Sequence, residues 1–309
     1  MPFQTRRAGP RRPRCAFLKY RFIYNPFSGH NARSPRTLRR TLDFIATHRL
    51  DATLVVTAHP GHATHLARQA MAEGCTVIVA VGGDGTMNEV AQALVGSPAA
   101  LALIPCGSGN GLGRCLGIVG HGRDPFDVLR DSRPRLIDCG MADGHPFFNV
   151  MGLGFDADIS ARFARLPRRG FQAYVRTTLS AWRDFKPVKV RIRAGETTLD
   201  SEALMVAVAN SSQYGNDCYI APGAKLDDGR LDLTVVKPVS FWQALLLARR
   251  LFAAKLDGCP HIHRLQAAQF SIERPAPGMI HTDGEPHMAA ATIEVSVQPR
   301  SLRILTPAV

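Results

Sequence analysis

The sequence predicts an α/β N-terminal domain with a parallel sheet, followed by a mainly antiparallel β-sandwich C-terminal domain. Over residues 20–138, apolar strand-like runs alternate with amphipathic helical patterns, as in parallel sheets covered by helices. After Leu136 short β-like runs dominate and turn residues separate them, which is typical of an antiparallel sandwich or barrel. The 309 residues, 45% of them hydrophobic, are enough for about two domains with separate cores.

The N-terminal half contains four candidate strands, and each of them ends in a polar or glycine-rich loop. The strands are Arg21–Asn25, Ala52–Thr57, Val77–Val81 and Leu101–Pro105, and the helical patterns between them are Ser34–His48, Gly61–Glu73 and Met87–Gly96. Because ligands of parallel sheets bind beyond the carboxyl ends of the strands, we expect the four loops to build one site.

The C-terminal half contains six short candidate strands and two helical insertions. The strands are Phe147–Met151, Val188–Arg193, Ala203–Ala209, Leu231–Val236, Gln269–Arg274 and Ala291–Val297, and the insertions are Phe171–Phe185 and Phe241–Leu256. We expect a basic disordered tail over 1–16, the α/β domain over 17–138 and the sandwich domain over 139–300. The remaining segment, 301–309, contains an apolar run that can return to the first domain.

One segment indicates chemistry more strongly than any other. The apolar run Val77–Val81 stops at Gly82-Gly83-Asp84-Gly85-Thr86, and a helical pattern follows directly. Glycines let backbone N–H groups approach an anion, and a helix N-terminus adds unpaired donors and a positive dipole end. Asp84 places a carboxylate beside that anion, which is repulsive unless a metal or a proton transfer lies between them. The segment therefore predicts a nucleotide phosphate site with chemistry, although it is not a P-loop.

The chain carries a net charge of +13, and eleven Lys and Arg residues with no Asp or Glu precede Asp43. A basic surface suits nucleic acid, anionic lipid or a phosphorylated substrate. No nucleic-acid-binding motif occurs, so we expect no nucleic acid partner and favour a membrane surface with anionic phospholipid. The alternative for the N-terminal part of this charge is a solvated tail that aids solubility.

The seven cysteines form no Cys-x-x-Cys pair, which is typical of free thiols in a reducing cytosol. No run approaches the roughly 18 apolar residues that a membrane span needs, and the basic N-terminus is not followed by the apolar run of a signal peptide. We therefore expect a cytoplasmic protein that associates peripherally with the membrane.

Six stretches resemble the superfamily of diacylglycerol kinases, sphingosine and ceramide kinases, and NAD kinases. They are the Gly82–Thr86 loop; Asn25-Pro26-Phe27-Ser28-Gly29; Thr57 with Gly61, where His62 replaces an Asp; Pro105–Asn110; Ala221–Leu233, which contains Ala221-Pro-Gly-Ala and Asp228-Gly-Arg-Leu-Asp232; and Asp283-Gly284-Glu285. The match runs from residue 21 to 286 in the family's order. The chain is identified as a member of the lipid-kinase branch, which implies a catalytic domain of the diacylglycerol kinase type and a lipid-substrate domain.

This resemblance implies ATP and Mg²⁺ as cofactors and a nucleotide site built by the four loops. The implied nucleotide-binding residues are Asn25, Pro26, Ser28, Gly29, Thr57, Gly82, Gly83, Asp84, Gly85, Thr86, Asn88, Glu89, Ser108 and Asn110. Asp84, Asp283 and Glu285 are the candidate catalytic carboxylates, and one of them should accept the proton of the attacking hydroxyl. Resemblance to bacterial diacylglycerol kinases favours Glu285 for that role, whereas resemblance to sphingosine kinases favours Asp84.

Two further sites follow from the resemblance. Lys225, Asp228 and Arg230 match a structural Mg²⁺ site, with Asp228 supplying a carboxylate and the other two supplying backbone carbonyls; the alternative is a plain hairpin turn. Asp158 matches the region where sphingosine kinases contact the lipid head group; the alternative is a solvated Asp after a strand. Gly111 stands where diacylglycerol kinases usually have Asp, so a simple diacylglycerol specificity is not implied.

The predicted helix Ser240–Leu256 has apolar and basic residues side by side, as does the cluster of Arg162, Arg165, Arg168 and Arg169 near the first insertion. Such a mixture suits an anionic membrane surface, although an ordinary core helix with a wet face gives the same pattern.

The expected function is ATP-dependent transfer of a γ-phosphate to a lipid hydroxyl, of diacylglycerol, a sphingoid base or a related lipid. The alternatives are an NAD kinase-like enzyme and a catalytically inactive lipid-binding protein. The oligomeric state stays open, with a homodimer among the candidates.

Overall fold

The structure is a computed structural model that describes residues 18–120, 122–164, 178, 180–182 and 185–308. Three sequence predictions lie wholly or mostly outside these residues: the basic tail over 1–16, most of the helical insertion Phe171–Phe185, and Arg165, Arg168 and Arg169 of the basic cluster.

The N-terminal part is an α/β unit on a parallel sheet, as the sequence predicts. Its strands are β1 (Lys19–Tyr24), β2 (Asp51–Val56), β3 (Val77–Gly82) and β4 (Ala100–Pro105), in the parallel order β2-β1-β3-β4. Its helices are α1 (Arg36–Thr47), α2 (His62–Ala72), α3 (Asp84–Leu94), α4 (Gly111–Cys115) and α5 (Pro125–Arg130). Alternate residues of β3 bury against opposite layers, because Ile78 packs with α2 and α3 whereas Val79 packs with α1 and α5.

The C-terminal part is a β-sandwich, also as predicted. Its strands begin with β5 (Ser132–Ala142), β6 (His145–Phe147) and β7 (Val150–Gly154), and the helix α6 (Phe155–Ala164) follows β7. The next elements are β8 (Val188–Ala194), β9 (Thr197–Ala203), β10 (Met205–Ala209), β11 (Gln213–Gly215), β12 (Cys218–Tyr219), β13 (Leu231–Val236) and α7 (Phe241–Phe252). The last are β14 (Ile262–Ala267), β15 (Gln269–Glu273), β16 (Gly278–Thr282), β17 (Glu285–Ala289) and β18 (Thr292–Pro307).

Two layers enclose the core of the sandwich. One layer is the six-stranded sheet β14-β13-β10-β7-β16-β17, and the other is the run β18-β15-β8-β9 at the end of a ten-stranded sheet. Apolar residues from both layers, such as Leu153 of β7 and Phe270 of β15, pack in one buried cluster between them.

The strand β18 belongs to both parts of the molecule. Its first half pairs antiparallel with β15, and Arg303 and Ile304 in its second half pair parallel with β4, while β5 runs along its other side. The boundaries predicted at 138/139 and 300/301 therefore fall inside β5 and β18. A local irregularity redirects the strand at Arg300, where φ is 49° and the backbone N–H donates to Asp138 Oδ1 at 2.7 Å.

Helix α3 begins at Asp84, three residues before the start that the sequence predicts. Gly83 is extended at the N-cap position, so Asp84 lies in the first turn, where a carboxylate interacts favourably with the helix dipole. None of the helices in the described part of the chain is long and apolar enough to cross a membrane.

Candidate active site

The carboxyl ends of β1, β3 and β4 meet at one edge of the parallel sheet, and the loops that follow them are bonded together. Asn25, directly after β1, donates from Nδ2 to Thr86 Oγ1 at 2.8 Å and from its backbone N to Val81 O at 3.0 Å. The same residue accepts the N–H of Phe27 on Oδ1, which closes its own turn. Asn25 therefore holds the first loop against the glycine loop, as strands ending at one edge allow.

Gly29 brings the first loop onto the fourth. Its φ is +44°, and a Cβ at this position would lie 2.1 Å from the carbonyl oxygen of Cys106. Only glycine adopts this backbone conformation at this distance without strain. The side chain of Asn110 closes the fourth loop on itself, because it accepts the N–H of Gly107 at 3.1 Å and donates to the Gly107 carbonyl at 2.8 Å.

Asp84 joins the glycine loop to the fourth loop. Its two carboxylate oxygens accept the backbone N–H groups of Asn110 and Gly111, each at 2.8 Å. Burial raises the pKa of Asp84, and these two N–H donors act in the opposite direction. The carboxylate therefore fixes the N-terminus of α3 against that of α4, in addition to any role toward a ligand.

The other predicted nucleotide-binding residues have different surroundings. Glu89 accepts the N–H of Ala63 at 2.9 Å and so satisfies a donor in the first turn of α2. Asn88 and Thr57 are buried, whereas Gly85 and Ser108 are exposed. The structure thus brings the segments of residues 25–29, 82–86 and 107–110 together, and it gives Glu89 a contact within the protein.

The acidic motif near the C-terminus forms the turn between β16 and β17. Asp283 has φ +51°, and its carboxylate accepts three consecutive backbone N–H groups, those of Phe148 at 2.7 Å, Asn149 at 2.8 Å and Val150 at 2.9 Å. Burial raises the pKa of Asp283 to about 6, against the effect of those three donors. Glu285 is the first residue of β17 and is half-buried.

The glycine loop and the acidic turn belong to one site. Gly111, whose N–H binds Asp84, lies so close to Asn149 that a Cβ on Gly111 would be 3.3 Å from Asn149 Oδ1 and 2.8 Å from the Tyr214 carbonyl oxygen. The backbone N–H of Asn149 in turn donates to Asp283. Contacts therefore run without a break from Asp84 to Asp283 across the junction of the two parts.

A buried polar cluster behind the acidic turn was not singled out by the sequence analysis. Asp156 Oδ2 lies 2.8 Å from His281 Nε2 and accepts the Tyr214 hydroxyl at 2.6 Å, and His281 Nδ1 lies 3.2 Å from the backbone N of Gly284. Burial disfavours both charges, but their mutual attraction outweighs it, so the pKa of Asp156 is lowered and that of His281 is raised. The cluster supports the turn that carries Glu285.

The two remaining predicted sites lie in simpler settings. Asp158, in the first turn of α6, forms an ion pair with Arg162 at 2.8 Å. Asp228 is exposed and accepts the N–H of Arg230 at 3.1 Å, and the side chain of Lys225 is exposed. Buried Asp138 accepts the N–H of Gly229 at 2.7 Å, so hydrogen bonds within the protein also close this turn. A Mg²⁺ site here stays a prediction.

The described residues contain no group of three or more His, Cys, Asp or Glu side chains arranged to hold a metal ion. Mg²⁺ in phosphoryl-transfer sites is often held by one or two carboxylates plus substrate phosphates, which needs fewer protein ligands. Each oxygen of Asp84 accepts one N–H and keeps a second lone pair. The Asp84 carboxylate could therefore coordinate a metal ion that is bound together with phosphate.

Comparison with known families agrees with this architecture. The family described as Diacylglycerol kinase catalytic domain matches residues 19–142, and the family described as YegS C-terminal NAD kinase beta sandwich-like domain matches residues 149–306. The fold is also that of a putative diacylglycerol kinase from Bacillus anthracis, with a TM-score of 0.76 and 24% identity over 95% of this chain and 98% of that one.

Curated relatives are similar over most of their length. A probable YegS-like lipid kinase of Chromohalobacter salexigens is 30% identical over 248 residues, 75% of this chain and 76% of the relative. A diacylglycerol kinase of Mycobacterium tuberculosis is 25% identical over 293 residues, 92% of this chain and 94% of the relative. The chain therefore belongs to the family of diacylglycerol kinases and YegS-like lipid kinases, and it is an enzyme of the kinase class.

Proposed function

We propose that the protein transfers the γ-phosphate of ATP to the hydroxyl group of a lipid at a membrane surface. One observation carries this proposal: the glycine loop and the acidic turn are joined by contacts through Asn110, Gly111 and Asn149 into a single site. Phosphoryl transfer to an alcohol needs a phosphate cradle and a carboxylate within reach of the attacking hydroxyl.

The nucleotide phosphates are proposed to bind at the loops of residues 25–29, 82–86 and 106–110, next to the N-terminus of α3. These loops contain no Lys or Arg, so the charge of the phosphates has to be balanced in another way. Mg²⁺ bound with the nucleotide would supply that positive charge, and Asp84 is the carboxylate that would hold it.

Glu285 is the proposed general base. Asp283 accepts three backbone N–H groups, which fixes the turn that precedes Glu285. Glu285 follows Asp283 by two residues, so the turn that Asp283 fixes also determines where the Glu285 carboxylate lies. In this arrangement Glu285 accepts the proton of the lipid hydroxyl as it attacks the phosphate.

The lipid head group is proposed to approach from the side of α6. Asp158 would contact a hydroxyl or ammonium group there, in competition with its present partner Arg162. This contact makes the acceptor class, diacylglycerol or a sphingoid base, depend on how readily the Asp158–Arg162 ion pair opens.

The proposal is tested by incubating the protein with γ-labelled ATP, Mg²⁺ and either a total lipid extract or NAD. We expect label in the lipid phase and none in NADP, and Glu285→Gln should lower turnover by roughly 10²-fold or more. Label in NADP alone would favour an NAD kinase-like enzyme, and lipid binding without transfer to any acceptor would favour an inactive lipid-binding protein.

A further inference from the structure

Helix α7 exposes an apolar surface to solvent. The exposed fractions are 43% for Phe241, 74% for Trp242, 45% for Leu245, 60% for Leu246 and 51% for Phe252. We call these five side chains the α7 apolar face. They are five of the eleven large apolar residues that are exposed in the described part of the chain, although α7 has only 12 residues. Contiguous exposed apolar surface of this kind marks an interaction site more often than scattered single residues do.

The opposite side of α7 anchors the helix to the protein. Leu247 is buried, and Leu251 packs with it against Phe155 and Ile159 of α6. A capping box at the N-terminus, formed by Ser240 and Gln243, defines the start of the helix. The α7 apolar face is therefore held toward solvent by a helix that is anchored on its opposite side and capped at its start.

The charges along α7 and its immediate flanks have one sign, and the next acidic residue in the sequence, Asp257, pairs with Arg264. Residues 237–255 contain the four basic residues Lys237, Arg249, Arg250 and Lys255 and no Asp or Glu. Arg249 and Arg250 are exposed in the last turn of α7, and neither forms an ion pair with another described residue. The partner that fits this surface has to be apolar and negatively charged at the same time, which is the chemistry of an anionic bilayer interface.

The position of the face relative to the active site agrees with such a partner. Helix α6, on which α7 packs, also carries Asp156, which contacts His281 behind the acidic turn. Helix α6 therefore links the helix that carries the α7 apolar face to the elements that carry Glu285.

We propose that the α7 apolar face, flanked by Arg249 and Arg250, docks the protein on the surface of an anionic phospholipid bilayer. This inference rests on the proposed lipid substrate, and it adds the surface by which the enzyme reaches that substrate. The apolar side chains enter the region between head groups and acyl chains, and the two arginines contact lipid phosphates.

Flotation of the full chain with vesicles tests the proposal. We expect binding to vesicles of phosphatidylcholine with phosphatidylglycerol, and much weaker binding to phosphatidylcholine alone. Replacing both arginines, in R249Q/R250Q, should weaken binding to the anionic vesicles by about 25-fold, or about fivefold per arginine. The double variant W242Q/L246Q should weaken binding to the same vesicles by roughly tenfold or more.

Leu42→Gln is the matched control, because Leu42 is an exposed leucine on a helix, 49% accessible, far from α7 in sequence. It should leave vesicle binding unchanged. A second measurement keeps the face apolar: lipids brominated in their acyl chains should quench the fluorescence of the wild-type protein more strongly than that of Trp242→Phe, since the chain contains only two tryptophans.

Three outcomes would overturn the proposal: no vesicle binding by the wild-type protein, unchanged binding by W242Q/L246Q, or a dimer in solution that W242Q/L246Q converts to monomers. Turnover of a short-chain diacylglycerol dispersed without vesicles measures the chemistry separately. Turnover without vesicle binding would overturn the docking surface alone, whereas vesicle binding without turnover of any lipid would overturn the proposed function alone.

Discussion

At the residue scale, two neighbouring carboxylates are expected to have separable roles. Asp283→Asn leaves a single oxygen for three backbone N–H donors and turns an amide N–H₂ toward one of them. We expect the free energy of unfolding to fall by roughly 2–4 kcal/mol, because buried donors lose a charged acceptor. Glu285→Gln should lower that free energy less, because Glu285 accepts none of these three N–H groups. Chemical denaturation of the two variants measures the difference.

Equal losses of stability in the two variants would contradict this division of labour. Equal losses of turnover with no change in stability would also contradict it, since Asp283 would then act on the substrate and not on the loop.

The buried pair Asp156–His281 predicts a pH dependence of stability. The pKa of His281 is raised above its usual value of 6.5, so its contribution is complete below pH 6.5 and is lost as pH rises through the higher folded-state pKa. The lowered pKa of Asp156 also contributes stability, but that contribution is lost only in acid, as the pH falls through the lowered pKa. We therefore expect the free energy of unfolding to decrease as the pH rises from 6.5 through the raised pKa of His281.

Asp156→Asn should flatten that dependence, because it removes the charge that raises the pKa of His281. Asp158→Asn is a suitable control on the same helix, since Asp158 contacts Arg162 and not His281. An unchanged slope in Asp156→Asn, measured by urea denaturation across this pH range, would show that the pair does not titrate as described.

Sequence motifs identify some of the carboxylates of the site, but they miss a carboxylate whose partner is distant in the sequence. Asp84, Asp283 and Glu285 are each flanked by glycine, so they could be recognised as turn residues beside a phosphate. Asp156 and His281 lie 125 residues apart and meet only because β7 pairs with β16. This pairing joins distant parts of the chain, so no local pattern reports it.

At the element scale, the close approach of the first loop to the fourth loop should depend on Gly29. Gly29→Ala places a Cβ 2.1 Å from the Cys106 carbonyl oxygen at a φ of +44°. We expect a loss of roughly 2–3 kcal/mol in the free energy of unfolding and weaker nucleotide binding, since the first and fourth loops have to separate. Gly85→Ala is the stability control, because nothing lies within 4 Å of its added Cβ. That substitution, in the first turn of α3, should be neutral or stabilising by up to about 1 kcal/mol.

Calorimetry and nucleotide titration of the two variants test this prediction. Similar behaviour of Gly29→Ala and Gly85→Ala would mean that the first loop moves freely relative to the fourth.

Element types were predictable, and element ends were less so. The run Val77–Val81 and the helical spacing after it predict β3 and α3 well, because apolar periodicity reports burial. Apolar periodicity does not predict the start of α3 at Asp84, because the first residues of this helix, Asp84 and Gly85, are not apolar. The Asp84 carboxylate instead stabilises this end of the helix through the helix dipole.

At the scale of the whole molecule, the two parts are coupled by shared strands. Composition changes near residue 138 and again near residue 300, yet β5 and β18 continue through both positions. A change in the residue pattern along the chain reflects a change in what surrounds the chain, and not the end of a strand. One strand can have different neighbours along its length, as β18 does. The single ten-stranded sheet could therefore not be predicted from local sequence pattern.

This coupling predicts that a destabilising substitution near the C-terminal end of β18 also destabilises the sandwich. Ile304 is fully buried in the core of the N-terminal part and pairs with Leu101, while the other half of the same strand lies in the sandwich. Ile304→Ala should lower the free energy of unfolding by roughly 2–5 kcal/mol, because it leaves a cavity that the sheet cannot close. Hydrogen exchange should accelerate together in β3 and in β10, since both parts unfold as one unit.

Arg303→Ala, one residue earlier on the exposed side of the same strand, is the matched control and should alter neither exchange pattern. If Ile304→Ala accelerates exchange in β3 and leaves β10 protected, the N-terminal part opens alone and β18 acts as a hinge. If both accelerate to the same extent, the long strand transmits stability across the junction between the two parts. Any variant that loosens β18 should then also weaken the active site without touching it.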